Sequence, residues 1–138
     1  MKIDSIIGLG DIKNLNNGND VYFNGILHFE FLSYGVVNID KVWRVIFTEE
    51  IDVESVLENV VVLNRMTANM LNHNINIKLG DNDNELLVSP SDNYVWGNGY
   101  ILKLNTGIKS INGNYLKIPC LLCFDIKKEN DDSLPFLI

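Results

Sequence analysis

The sequence predicts an all-β fold in which two antiparallel sheets pack face to face as a sandwich. Short segments alternate apolar and polar side chains with a period of two, as in residues 42–47, where Trp43, Val45 and Phe47 share one face. Turns containing Asn-Gly, Gly or Pro separate these segments. The segments recur about every 8–12 residues, which is the spacing of sandwiches rather than of βαβ folds.

The N-terminal part predicts an additional β-hairpin within residues 21–31. Asn24-Gly25 lies between two apolar segments, and both central residues of a type I′ turn need positive φ, which these residue types tolerate. Along the outgoing strand Leu27, Phe29 and Phe31 share one face, and we expect His28 to be a half-exposed residue on the other face.

Residues 52–71 admit two interpretations, because their apolar side chains also fit a helical stripe. We favour one helical turn over residues 53–57, with Asp52 as its N-cap, because Val60-Val-Val-Leu63 is β-branched and apolar on both sides. This is the only helical turn that the sequence predicts.

Further strands are predicted over residues 75–79, 86–89, 100–104 and 118–126. In the last strand Ile118, Cys120, Leu122, Phe124 and Ile126 share one face. Leu121 on the opposite face is also apolar, and the N-terminal hairpin is the candidate to cover it. In the preceding segment Asn112-Gly113 supplies a turn, and we expect Ile108 and Ile111 to return to the core.

Composition excludes several classes of function. The chain has 138 residues and a formal net charge of −7 with scattered basic residues, so one domain is expected and nucleic acid is not an expected partner. No apolar run approaches the roughly 20 residues that span a bilayer, so membrane insertion is not expected. The N-terminus carries no secretory signal, which leaves an intracellular protein or a piece of a larger one.

The two cysteines are three residues apart in a predicted strand, so their side chains point to opposite faces and an intrastrand disulfide is not expected. Cys120 is predicted to be a core residue and Cys123 a thiol on the other face. The spacing therefore predicts no redox or zinc site at this pair.

Two segments carry candidate ligand-binding residues. Asp81, Asp83 and Glu85 alternate in an acidic turn and are a candidate calcium site, since carboxylate oxygens suit a hard cation; an ordinary hairpin turn is the alternative. Tyr94 and Trp96 lie in a Gly-containing loop, where an aromatic pair can stack on a sugar ring or insert into a partner; a plug over the sandwich end is the alternative.

Catalysis is not predicted. The chain contains no Gly-x-Ser-x-Gly elbow, no His-Glu metal-binding pair of a helix and no phosphate-binding loop. The side chains of the adjacent Glu49 and Glu50 diverge rather than pair across a substrate. No catalytic residue and no cofactor are therefore assigned, apart from the candidate calcium site.

Residues 38–127 resemble the bacterial Ig-like domain of S-layer and other cell-wall-associated proteins. The resemblance lies in residues 43–52, Ser55 with the strand at 60–63, Leu86-Leu-Val-Ser-Pro90, and the segments 97–104 and 106–116. Ser110 stands where the family usually has Asp. The resemblance implies an Ig-like antiparallel β-sandwich over residues 38–128, with an N-terminal extension packed on it (residues 1–37) and a C-terminal tail (residues 129–138).

That resemblance also implies a function. It indicates a non-catalytic structural or adhesive module of a bacterial cell-surface or secreted protein, located outside the cell or in the wall. Such a module acts as a spacer or as an interaction domain, with protein or cell-wall glycan as partner. The alternative is a small self-contained intracellular or phage-encoded protein for assembly, decoration or inhibition. The oligomeric state is not predicted.

Overall fold

The computed structural model describes residues 1–11 and 14–130. Its described residues form twelve strands and one short 3-10 helix at Val53–Ser55. The strands are β1 (Ile3–Gly8), β2 (Asn14–Leu15), β3 (Gly18–Phe23), β4 (Ile26–Phe31), β5 (Val36–Val37), β6 (Trp43–Phe47), β7 (Val60–Asn64), β8 (Asn72–His73), β9 (Ile75–Leu79), β10 (Glu85–Pro90), β11 (Gly99–Leu104) and β12 (Cys120–Ile126).

The strands form two sheets. One has the order β2-β1-β6-β10-β9, and the other has the order β3-β4-β12-β11-β7-β8, with β5 alongside the far end of β12. Neighbouring strands are antiparallel, as predicted, except that β12 pairs in parallel with β4 and with β5. The all-β sandwich expected from the sequence is therefore confirmed, with one parallel seam within the second sheet.

The core lies between the two sheets and follows the alternation of the sequence. Trp43, Val45 and Phe47 of β6 are at most 1% exposed, and every second residue of β12 from Cys120 to Ile126 is buried against them. Alternate side chains of a strand point to opposite faces, so each strand contributes one apolar row to this core. The chain is long enough for such a core to form without a disulfide.

Residues 1–37 do not form a separate layer on the sandwich. β1 is paired with β6 on one side and β2 on the other, and the β3–β4 hairpin continues the second sheet beyond β12. The predicted extension is therefore part of both sheets. Residues 129 and 130 are described and form a turn, whereas the rest of the predicted C-terminal tail, residues 131–138, lies outside the described residues.

The predicted hairpin is present, and its turn has the expected geometry, with φ of 52° at Asn24 and 79° at Gly25. His28 is not half-exposed as predicted, because it is 2% exposed and packs edge-on against the ring of Phe23. Leu121 is also buried, in register between Lys103 of β11 and Glu30 of β4. The hairpin thus lies beside Leu121 in the same sheet and helps to shield it from solvent.

Other local predictions have mixed outcomes. The helical turn after Asp52 is confirmed in the short helix Val53–Ser55, and the Asp52 carboxylate accepts a hydrogen bond from the Glu54 amide at 3.2 Å. Ile108 is buried as expected, but Ile111 and Ile118 are 60% and 41% exposed. Both lie outside the regular strands, so strand alternation does not determine where their side chains point.

The first and last strands run in the same direction in opposite sheets. Met1, Ile3 and Cys120 line one groove, which defines the groove end of the sandwich. Asp11, which follows β1, and Lys127, which follows β12, line a cavity beside β5, which defines the β5 end. Among residues 1–11 and 14–130, no helix is long and apolar enough to cross a membrane.

Candidate functional site

Tyr94 is part of the core rather than of an exposed aromatic pair. It is 2% exposed, and its ring centroid lies 4.7 Å from that of Tyr100, 4.8 Å from that of His73 and 5.3 Å from that of Phe124. Burial raises the pKa of its hydroxyl well above the ordinary range. Tyr94 therefore closes the end of the sandwich and is not available to stack on a ligand.

Trp96 stays at the surface, two residues further along the loop. Its side chain is 37% exposed, and the Lys127 Nζ lies 5.8 Å from its ring centroid. The loop is fixed to the end of β12, because the Gly97 amide donates to the Lys127 carbonyl at 3.0 Å. The structure thus holds one aromatic ring and one ammonium group together at the β5 end.

A cavity of about 290 Å³ lies at the same end. Its polar wall is formed by Asp11, Tyr34, Asn38, Lys41 and Lys127. No sequence pattern indicates this site, because these residues come from separate loops and share no spacing. The cavity is joined to Trp96 through Lys127, and we call the cavity together with this ring the β5-end site.

Charges in the β5-end site are fixed by short contacts. The Asp11 carboxylate accepts hydrogen bonds from the Tyr34 hydroxyl and from Lys41 Nζ, the latter at 2.7 Å. These two hydrogen bonds lower the pKa of Asp11, and the one from Lys41 contributes more than the one from Tyr34. Burial, followed by the bond to Asp11, raises the pKa of Tyr34 to about 12. At neutral pH the site therefore presents a carboxylate, a neutral phenol and ammonium groups.

Such an arrangement suits the recognition of a polar ligand. Its hydroxyl, carboxylate, amide and ammonium groups donate and accept hydrogen bonds, and the adjacent indole offers an apolar face.

Comparison with known families is consistent with this fold. A model of the bacterial Ig-like domain matches residues 34–125. The chain belongs to the bacterial Ig-like domain family. No curated protein matches the chain in sequence.

Solved structures similar to this Ig-like domain share its fold at low identity. The N-terminal part of the bacterial S-layer protein SbsC is 16% identical with a TM-score of 0.52, and the match covers 71% of this chain and 23% of that one. The copper resistance protein PcoC from Escherichia coli is 11% identical with a TM-score of 0.54, over 69% of this chain and 91% of that one. The chain thus spans less than a quarter of the S-layer chain.

The acidic turn of this Ig-like domain does not bring its three carboxylates together. Asp81 and Asp83 are exposed, whereas Glu85 is 7% exposed and its Oε1 accepts a hydrogen bond from Asn82 Nδ2 at 2.8 Å. Within residues 1–11 and 14–130, no group of three His, Cys, Asp or Glu side chains is placed to hold a metal ion. The segment is an ordinary turn that is closed by the hydrogen bond between its Asn82 and Glu85 side chains.

Both thiols are free and shielded. Cys120 is buried on the core face, and burial raises the pKa of its thiol to about 12. Cys123 is half-buried on the other face, where burial, followed by the nearby Glu30 carboxylate, raises the pKa of its thiol. Since the thiolate is the reactive form, neither cysteine is an activated nucleophile.

Proposed function

We propose that this Ig-like domain is a non-catalytic structural module of a bacterial cell-surface or secreted protein, in which it separates or presents neighbouring domains. The observation that carries this proposal is the direction of β1 and β12. The chain enters the sandwich at the groove end and leaves β12 at the β5 end. A module whose ends lie at opposite poles adds its length to an array of domains linked in series.

The strand pairing suits a module that transmits tension along this axis. β1 pairs with β6 along its whole length, from Ile3 opposite Phe47 to Gly8 opposite Trp43. β12 has partners on both sides, with β11 on one side and with β4 and β5 on the other. Hydrogen bonds of a sheet lie across the strands. Tension along β1 or β12 therefore strains many bonds together instead of one at a time.

Single-molecule stretching tests the spacer role. The chain is held either at residues 1 and 127, or at residues 24 and 118, which lie at the same end of the neighbouring strands β4 and β12, so that the load peels these two strands apart from one end. We expect a clearly higher unfolding force for the first geometry, since β1 and β12 are then sheared. Equal forces, or a lower force for the end-to-end geometry, would overturn the spacer role.

Cellular location is a separate test. The family assignment and the S-layer neighbour support a surface protein, whereas the alternative is a self-contained intracellular protein for assembly, decoration or inhibition. An antibody to this chain is used on fractionated source cells. A band much larger than 15.7 kDa in the wall or secreted fraction supports the surface module. A band at the mass of the chain in the cytosol overturns it.

The β5-end site supports a proposal for the partner, which is cell-wall glycan. Trp96 offers an exposed ring, and Asp11, Asn38 and Lys41 offer hydrogen-bonding groups in the adjoining cavity. Calorimetric titration with purified wall fragments tests this role, with Trp96→Ala as the binding variant and Tyr115→Ala, an exposed aromatic at the groove end, as the matched control. Absence of heat with the unchanged chain, or equal loss in both variants, would contradict it.

A further inference from the structure

The groove end carries an apolar groove that no described residue fills. It has a volume of about 320 Å³ and lies between β1 and the strands β4 and β12. Its walls are largely apolar and include Ile3, Phe29, Phe31, Leu116 and Ile118. One water needs only about 10–15 Å³, so the groove has room for large apolar side chains.

Two lysines give the groove a charge. Lys2 and Lys117 lie on its rim and are exposed, although the whole chain has a formal net charge of −7. An occupant that complements this groove has apolar side chains beside carboxylates, because carboxylates pair with the lysines while apolar side chains leave water.

The chain itself contains a segment with that chemistry. Residues 129–138 read Glu-Asn-Asp-Asp-Ser-Leu-Pro-Phe-Leu-Ile, so three carboxylates precede four large apolar side chains. We propose that residues 131–138 of one copy occupy the groove of a second copy, so that copies join head to tail. This proposal goes beyond the spacer role and does not depend on it.

Reach favours a second copy over the chain's own groove. Cys120 lines the groove and Lys127 lies at the opposite pole, a separation of roughly 23 Å for seven residues of strand. Residues 129 and 130 form a turn shortly after Lys127, and Leu134 and Phe136 lie four and six residues beyond that turn. Even a fully extended chain therefore returns these two residues by no more than roughly 14 and 22 Å, which is short of the groove. A neighbouring copy has no such restraint.

Head-to-tail contact has a consequence for assembly. The segment and the groove are different surfaces, so a joined pair keeps one free groove on one copy and one free segment on the other. Contacts of this kind extend into rows of copies unless a rotation closes them into a ring.

Sedimentation velocity over a range of concentrations tests the assembly. We expect the full chain to form concentration-dependent oligomers and the chain ended at Asn130 to stay monomeric, with every described strand retained. Ile118→Glu, at a residue that is 41% exposed in the groove, should also abolish assembly. Ile111→Glu, at an exposed residue outside the groove walls, should assemble like the unchanged chain.

A binding measurement keeps the proposal testable if a variant fails to fold. A fluorescent peptide of residues 129–138 is titrated with the chain ended at Asn130. We expect saturable binding that Ile118→Glu weakens at least about tenfold by placing a carboxylate among apolar groups. Lys117→Glu should weaken it about two- to fivefold, and Lys78→Glu, exposed on β9, should leave it unchanged. A monomeric full chain, or a peptide that does not bind, would overturn the proposal.

Discussion

At the scale of single residues, Tyr94 and Tyr100 are adjacent buried tyrosines that differ in their hydrogen bonds. The Tyr100 hydroxyl accepts hydrogen bonds from the Val95 amide at 2.9 Å and from Asn64 Nδ2 at 3.5 Å, whereas the Tyr94 hydroxyl has no partner among the described residues. We expect Tyr100→Phe to lower the free energy of unfolding by about 1 kcal/mol. Tyr94→Phe should leave it unchanged or raise it. Urea unfolding of both variants checks this, and equal losses would contradict it.

Stability above pH 9 depends on buried groups that keep their protons. Burial raises the pKa of Cys120 to about 12, and burial with the bond to Asp11 raises that of Tyr34 to about 12. In the unfolded chain the pKa is roughly 8.5 for the thiol and roughly 10 for the phenol. The unfolded state therefore loses these protons first, and the free energy of unfolding falls as pH rises from about 9 to about 12.

Urea midpoints at pH 8, 9, 10 and 11 in the presence of a reductant measure this fall. Cys120→Ala should give a shallower slope than the unchanged chain between pH 9 and 11, because one of the two thiols whose pKa is raised in the folded state is gone. Parallel profiles for the two proteins would show that the thiol does not contribute.

How far residues can be predicted depends on what surrounds them. The alternation of its own strand predicts that Trp43 is a core residue, and it is fully buried. Tyr94 cannot be placed in this way, because its burial comes from His73, Tyr100 and Phe124, which lie elsewhere in the chain. The contact of Asp11 with Tyr34 and Lys41 likewise depends on how three loops meet, and no local pattern encodes it.

At the scale of elements, the β3–β4 hairpin contains two glycines with different requirements. Gly25 has positive φ and open space where a methyl group would lie, so Gly25→Ala should cost only the conformational penalty, about 1–2 kcal/mol. A Cβ at Gly18 would overlap the Glu30 carbonyl oxygen, which is backbone and cannot turn away. We expect Gly18→Ala to be the more damaging change. Amide hydrogen exchange of β4 and urea unfolding compare them, and the reverse order would contradict this.

The acidic turn before β10 makes a prediction about calcium. Glu85 is buried and bonded to Asn82, so its carboxylate is already used within the turn. We expect millimolar calcium to leave the melting temperature within about 1 °C of that in EDTA, since a ligand that does not bind the folded state does not stabilise it. A larger increase that Asp83→Asn abolishes would restore the calcium site predicted from the sequence.

Strands are predictable where one face is buried and the other is not. β6, β9 and β12 follow the alternation in the sequence, because a shift of one residue would expose the apolar row. The alternation within a strand does not predict which other strand it pairs with. The parallel pairing of β12 with β4 and β5 joins segments about 90 residues apart, and nothing within either segment specifies that neighbour.

At the scale of the whole molecule, the N-terminal residues decide where the domain begins. The sequence alone suggests a sandwich over residues 38–128, because the resemblance starts there and the hairpin is complete in itself. In the structure, β1 supplies the neighbour of β6 and the hairpin supplies the neighbour of β12. Local patterns show that a hairpin forms, but they do not show which sheet it joins.

This topology predicts that residues 34–130 do not fold alone, although they contain the whole family match. The fragment lacks Ile6, Leu15 and Phe31, which are at most 6% exposed in the core. It also removes β1 from one side of β6 and β4 from one side of β12. We expect the fragment to lose the single cooperative transition in urea, while the chain ended at Asn130 keeps it. Adding a peptide of residues 1–33 should restore the transition, because that peptide supplies both missing neighbours. Cooperative unfolding of the fragment at the midpoint of the full chain would show instead that the family match is an independent domain and that residues 1–33 only cover it.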